Sequence, residues 1–371
     1  PPRTCDCSFQ FKLKTQMPDA SSAATNGRAS ADASSGDEEP LALDRPVPTT
    51  LDEIRVPVED DLEAFRSYFR EAMRSDHMLL DKITQYVLWK KGKRIRPLLV
   101  LLAAQACGGR ATDQTHRAAA LVELLHTATL VHDDVVDDAE ERRGVFSINA
   151  LWKNKIAVLL GDFLLSRGLL LSLDHDDYSV LHTLSDAVRR MSEGELLQIE
   201  KSRLLDIDEE TYFRIISDKT ASLISACTKS GAVSVTDDAA LIERMDEFGE
   251  TLGLAFQIRD DLFDFSVEDA GKPIGIDLQE KKMTLPLIVS LREAGRREQK
   301  RILDIVDRDD KTRDDLRAIA DFVDDHGGIE HARRKMESLA AEARSLLGAL
   351  RPSEARASLV GLTEFAIQRS R

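Results

Sequence analysis

The sequence predicts an all-α protein built as a single bundle of ten or more helices, on three observations. Apolar residues recur at helical spacing from about Leu51 onward. Aromatic residues are only 5% of the 371, and leucine and alanine dominate, as helix–helix packing favours. No run of alternating, β-branched residues lies between hairpin turns, so strands are not expected.

Taken in order, residues 1–50 are expected to form a disordered tail. The stretch from Pro18 to Pro48 is rich in Ala, Ser, Asp, Gly and Pro and nearly lacks large apolar side chains. Asp19, Asp32, Asp37, Glu38 and Glu39 argue against an organelle-targeting peptide, which is poor in acid. Pro1 is no initiator, and Met17 is a candidate start. One domain is expected over 51–371. Leu62, Phe65, Phe69 and Met73 mark one helix; Leu79, Ile83, Val87 and Leu88 mark the next. A basic turn over Lys90–Pro97 leads into an apolar helix, Leu98–Cys107, closed by Gly108-Gly109. An acidic central helix follows Thr112 and Asp113, and further helices are expected over Ile156–Leu173, Val180–Leu205, Glu209–Lys229 and Ala239–Phe265. Beyond Pro286 four shorter helices are expected, punctuated by Gly295, Gly327-Gly328 and Pro352.

The formal net charge of −15 comes from 66 acidic against 51 basic residues. A general affinity for nucleic acid or for anionic membranes is excluded on that balance. No apolar run is read as approaching the roughly 20 residues of a membrane span. Cys5, Cys7, Cys107 and Cys227 are too few for a disulfide framework in so long a chain. Cys107 and Cys227 read as core residues of a cytoplasmic protein, and Cys5-Asp6-Cys7 lacks the further ligands of a metal site.

Chemistry concentrates in Leu121–Gly144. Asp133, Asp134 and Asp137 fall at i, i+1 and i+4, so Asp133 and Asp137 stack on one helix face, with His126 two turns earlier on the same side. Stacked carboxylates at the end of a buried helix repel and lose hydration unless a cation compensates them. Oxygen ligands at this spacing suit Mg²⁺, which takes one or two carboxylates plus substrate phosphates. The same DDxxD pattern recurs at Asp260, Asp261 and Asp264. Asp-Asp pairs at Asp60, Asp137, Asp176, Asp237, Asp309, Asp314 and Asp324 do not complete it, which makes coincidence the weaker account. Lys93, Arg94 and Arg96 also read as a solvated turn, Arg142-Arg143-Gly144 as a helix end with favourably placed cations, and Lys219-Thr220 as a surface pair. A diphosphate substrate unites them, since it bridges Mg²⁺ and accepts charge-assisted hydrogen bonds from Arg and Lys.

With Gly92–Pro97, His126, Asp133–Asp137, Arg142-Arg143-Gly144, Gly161-Asp162, Lys219-Thr220, Phe256-Gln257, Asp260–Asp264 and Gly271-Lys272 to Lys282-xx-Leu285-Pro286, the chain resembles the trans-isoprenyl diphosphate synthases. Among these it looks most like bacterial medium- and long-chain polyprenyl synthetases. The likeness runs from about residue 60 to the C-terminus, although the last 70 residues carry no diagnostic motif. It implies an isoprenoid-synthase bundle around a central apolar cavity, and a homodimer. It further implies Mg²⁺ on Asp133, Asp137 and Asp260, with Asp134, Asp261 and Lys219 also catalytic. An allylic diphosphate would meet Arg142, Lys219 and Lys282, with Lys272 nearby. Isopentenyl diphosphate would meet Lys93, Arg96, His126 and Arg143. Thr220 and Gln257 would orient substrate, although both also read as plain helix-surface groups. Ala128 and Thr129 sit five and four residues before Asp133, where bulky aromatics shorten products in this family. Leu164, Leu165, Gly168 and Leu169 are expected to line a deeper channel, with Gly168 adding room, which implies a product longer than geranylgeranyl diphosphate. A terpene cyclase would not need the second diphosphate site at Lys93, Arg96 and Arg143. A non-catalytic partner subunit would carry degraded motifs.

Overall fold

Thr50 opens the helical chain. Its hydroxyl accepts Glu53 N–H at 3.3 Å while the Glu53 carboxylate accepts Thr50 N–H at 3.1 Å, a reciprocal cap that starts α1 (Leu51–Arg55). The computed structural model describes residues 46–89, 92–142, 145–265 and 276–368. The disordered tail expected over 1–50 therefore falls almost wholly outside the described residues. Its last five are described, and Val47 packs on the core while the Pro48 carbonyl sits against the bare face of Gly361.

After a 3₁₀ turn come α2 (Glu59–Ala72), α3 (Met78–Trp89), α4 (Ile95–Gly108) and α5 (Asp113–Val136). A short hairpin follows, β1 (Glu141–Arg142) with β2 (Val145–Phe146), antiparallel with Glu141 opposite Phe146. Then come α6 (Ile148–Trp152), α7 (Asn154–Leu173), α8 (Tyr178–Leu204), α9 (Glu209–Ile216), a π turn (Ser217–Ala221), α10 (Ser222–Val233) and α11 (Ala239–Phe263). The chain finishes with α12 (Ile276–Gln279), α13 (Leu285–Glu293), α14 (Arg296–Val306), α15 (Arg313–Asp325), α16 (Gly328–Leu346) and α17 (Glu354–Gln368). The all-α expectation holds, apart from the one hairpin, which is too short to show an alternating pattern.

Local chemistry sets the helix ends. Gly109 takes φ 78° and donates to the Gln105 carbonyl at 2.9 Å, closing α4 in the left-handed conformation that glycine adopts without penalty. Thr112 and Thr115 cap α5 reciprocally. Two apolar clusters form the interior. One gathers α1–α8, α10, α17 and Met245, Phe248 and Leu252 of α11; the other gathers α9, α13–α16 and Ala255 and Ile258 of the same helix. Because α11 serves both, its C-terminal end is fixed from two sides.

Three sequence expectations are corrected. Among the described residues, five helices rather than four follow residue 284: the expected break at Gly295 is present, and a further one over residues 307–312 separates Arg296–Val306 from Arg313–Asp325. The single helix expected over Glu209–Lys229 is interrupted by the π turn. The third concerns α7: its 20 residues are long and apolar enough to cross a membrane by length and composition, where no such run was expected. It packs here as a bundle helix on α5, α6 and α8.

Candidate active site

Both acidic motifs close long core helices. Asp133 and Asp134 occupy the last turn of α5, and Asp137 is its C-cap, donating its N–H to the Asp133 carbonyl at 2.8 Å. A helix C-terminus carries partial negative charge, so carboxylates there raise the local demand for a cation. In each motif the middle carboxylate is buried, Asp134 and Asp261 both being 3% exposed, while Asp133 and Asp137 face outward and Asp260 is half-buried. The middle carboxylates thus belong to the interior, and the outer three are the more accessible. Asn149 holds the turn after α5 by donating to the Asp134 carbonyl at 3.0 Å and the Ala139 carbonyl at 3.1 Å. The Ser147 hydroxyl adds a bond to the Ala139 carbonyl at 2.6 Å. Gly161 of α7 leaves its bare face to the His132 imidazole, which sits 3.5 Å from the Asp162 carboxylate.

Asp261 is held from two sides. The Tyr212 hydroxyl donates to Oδ2 at 2.6 Å and the Gln257 amide donates to Oδ1 at 2.8 Å. Gln257 in turn accepts from the Thr220 hydroxyl at 2.9 Å, so Thr220, Gln257 and Asp261 form one chain rather than separate surface groups.

The π turn carries Lys219 and Thr220. Such an inserted residue in a helix re-aims side chains at a functional site. It fits because two glycines face it. A Cβ on Gly194 of α8 would lie 2.9 Å from the Lys219 nitrogen, and one on Gly253 of α11 would lie 2.7 Å from Ala221 Cβ. Arg190 locks the turn from α8, donating to Asp218 at 2.8 Å, Ser217 at 2.8 Å and Glu250 at 2.9 Å. Burial works against its charge, but the Glu250 and Asp218 carboxylates outweigh burial and hold it above the usual arginine value. The Lys219 ammonium reaches Glu195 at 2.5 Å and Gln198 at 3.2 Å.

The basic turn sits at the start of α4. Arg94 adopts the left-handed conformation, φ 49° and ψ 44°, a strained choice for a non-glycine residue. Arg55 pins the turn through the Lys93 carbonyl at 2.5 Å. Burial lowers the Arg94 pKa, while Glu123 of α5 works in the opposite direction. The Lys93 ammonium lies 6.0 Å from the Phe365 ring centroid on α17. An apolar pocket runs beneath, lined by Arg96 and Leu99, Phe256 and Arg259, and Phe365 and Ala366.

Of the other expected site residues, His126 and Thr129 are half-buried on α5, and Ala128 is fully buried beside them. Lys282 pairs with Glu280 at 2.6 Å. Arg142 lies in β1, and its side chain falls outside the described residues, as do Arg143 and Lys272. Gly168 does not add room. A Cβ there would meet Leu121 Cδ1 at 2.7 Å, so the leucine already occupies the space. Among the described residues no three acidic, histidine or cysteine side chains converge as a metal site. Sequence reasoning missed Arg190, Glu195, Gln198, Tyr212 and Arg259. Only Glu195 and Gln198 carried a local signal, as polar residues one turn apart on a helix.

An all-α bundle with aspartate motifs closing two core helices defines an isoprenoid-synthase fold. The polyprenyl synthetase family matches residues 77–323. The all-trans-nonaprenyl-diphosphate synthase of Rhodobacter capsulatus is 36% identical over 321 residues, 85% of this chain and 97% of that protein. The octaprenyl diphosphate synthase of Escherichia coli is 34% identical over 323 residues, covering 86% and 99%. A decaprenyl diphosphate synthase structure from Rhodobacter capsulatus superposes with TM-score 0.82 at 34% identity, covering 87% of this chain and 100% of that one. A polyprenyl synthase from Caulobacter crescentus, complexed with calcium and isoprenyl diphosphate, gives 0.79 at 33% identity, covering 88% and 100%. The chain belongs to the polyprenyl synthetase family. It is a prenyltransferase.

Proposed function

We propose that this enzyme condenses isopentenyl diphosphate with an allylic diphosphate, giving a trans-polyprenyl diphosphate longer than geranylgeranyl diphosphate and releasing pyrophosphate. The observation that carries this reading is the pair of acidic motifs, each with a buried middle carboxylate flanked by more exposed ones, the second of them bonded through Gln257 to Thr220, the chain neighbour of Lys219. Asp133, Asp137 and Asp260 offer oxygen donors that fit Mg²⁺. When bound, Mg²⁺ supplies the positive charge that stabilises the departing pyrophosphate.

Arg142, Lys219, Lys272 and Lys282 hold the allylic diphosphate. As its C–O bond breaks, the electron pair leaves on pyrophosphate and these cations stabilise the charge. Lys93, Arg96, His126 and Arg143 hold isopentenyl diphosphate so that its double bond attacks the allylic carbon. The new C–C bond forms, and the proton lost passes to pyrophosphate. The apolar walls exclude water from the cation. Incubation with labelled isopentenyl diphosphate, each allylic starter and Mg²⁺, followed by sizing of the products, tests the whole reading. No incorporation refutes it, and products stopping at geranylgeranyl refute the length.

Arg96 discriminates the two diphosphate sites. Arg96→Lys replaces a planar fork by a point charge, so the KM for isopentenyl diphosphate is expected to rise about tenfold, the lower end of one lost charged hydrogen bond. A rise confined to the allylic substrate means the sites are reversed.

A homodimer is part of the same reading. Leu159, Leu170 and Leu173 share one face of α7 and are 55%, 47% and 47% exposed, an apolar stripe that a second copy would cover. A monomeric mass by sedimentation equilibrium at micromolar concentration refutes this. We place the enzyme in the cytoplasm, in keeping with Cys107 and Cys227 as free thiols that burial pushes up to about 12.

A further inference from the structure

Arg259, the residue before the second motif, is a charged side chain in an apolar interior. It is 6% exposed, and a charge so buried is costly unless its donors are met. All its described contacts converge on two acceptors and two rings. Its Nε donates to Asp260 Oδ1 at 3.0 Å and Nη2 donates to the same oxygen. Its Nη1 donates to the carbonyl of Ala366 on α17. The guanidinium centre lies 4.4 Å from the Phe256 ring centroid and 5.5 Å from that of Phe263.

Each contact has a physical reason. Ala366 is two residues from Gln368, the last residue of α17 described as helical, and the end of a helix carries partial negative charge that a cation relieves. Asp260 supplies the full countercharge. The two aromatic faces fix the plane of the fork, so the guanidinium has one orientation in which both acceptors are served. A lysine has the charge without the fork. The two acceptors are 107 and one residue away in sequence, so this single side chain ties the second acidic motif to the far end of the chain. The same helix α17 brings Phe365 under Lys93 and into the pocket with Arg96.

The geometry points to Arg259 as a positioning residue: it orients the Asp260 carboxylate and couples cation binding at the second motif to docking of the C-terminal turn of α17. This rests on the reading of Asp260 as a Mg²⁺ ligand. By linkage, whatever Mg²⁺ binding gains from a docked α17, the docking of α17 gains from Mg²⁺.

The test uses the full chain and three variants, Arg259→Gln, Arg259→Lys and Asp260→Asn. Two readouts need no turnover. One is the Mg²⁺ concentration that half-saturates the rise in melting temperature in the presence of inorganic pyrophosphate. The other is amide exchange in residues 363–368 with and without Mg²⁺ and pyrophosphate. In the native protein, the ligands should slow exchange in this turn. Arg259→Gln should raise the Mg²⁺ half-saturation at least about tenfold, the range seen when a residue supporting a metal ligand is lost, and abolish the exchange response. Arg259→Lys should fall between the two, and it carries the same comparison if the glutamine variant precipitates. A native Mg²⁺ half-saturation in both arginine variants overturns the coupling, whatever happens to their melting temperatures. Native Mg²⁺ behaviour in Asp260→Asn means instead that Asp260 is no ligand, a distinct failure of the underlying reading.

Discussion

Asp133→Ala, Asp137→Ala and Asp260→Ala are each expected to lower turnover by several orders of magnitude while the protein still folds. Metal assistance to a departing pyrophosphate amounts to several kcal/mol, and each 1.4 kcal/mol is about tenfold in rate. Asp133 and Asp137 are the ones that can be removed at little structural cost, whereas Asp260→Ala should also lower the melting temperature because it takes the countercharge from buried Arg259. Asp133 and Asp137 are exposed, and relieving like charges at the C-terminal end of α5 offsets part of what their loss costs. Asp261 provides the contrast. Its removal takes the acceptor of the buried Tyr212 hydroxyl, a penalty of about 1–3 kcal/mol, and that of the half-buried Gln257 amide as well. Asp261→Ala should therefore lose both activity and melting temperature, whereas Asp133→Ala should lose activity alone. Steady-state kinetics at saturating Mg²⁺ with parallel melting curves separates the cases. Near-native turnover in any of the outer three would remove that residue from the metal site.

Ala128→Phe is expected to shorten the product while the first condensation survives. Ala128 lies on α5 five residues before Asp133, inside the apolar cluster, and is 2% exposed. On the proposed reading, a growing tail leaving the Asp133 end along this helix would pass the methyl before it reached Leu125, Leu124 and Leu121. A phenyl ring there occupies the volume the tail needs. Overpacking a core costs about 1–3 kcal/mol, so some loss of melting temperature should accompany the change. Leu121 supplies a second, opposite variant. It fills the space above Gly168 and stands twelve residues before Asp133, about 18 Å at 1.5 Å per residue. Leu121→Ala opens that space, and it should lengthen the product or broaden its distribution. Sizing by chromatography of labelled products decides both. A native product distribution from a folded Ala128→Phe protein means that the tail does not run past this residue.

The sequence by itself determined the helical class, the helix caps at Gly109 and Thr112, and the two acidic motifs. These are short-range features, written in spacing and in residues whose backbone preferences act locally. It also determined which carboxylates pair on a helix face, since Asp133 and Asp137 are one turn apart in any α-helix. It did not separate outer from buried carboxylates, because burial is decided by what packs against the helix. The π turn was invisible for a similar reason: Ser217–Ala221 reads as ordinary helix, and its bulge depends on Gly194 and Gly253 arriving from α8 and α11. Gly168 looked like open space in the sequence because the side chain that fills it, Leu121, belongs to another helix. The last 70 residues looked silent, yet α17 delivers Phe365 to Lys93 and the Ala366 carbonyl to Arg259. Only the tertiary structure decided those contacts, since hydrogen bonds between residues over a hundred positions apart follow from how helices pack and leave no periodic mark in either segment.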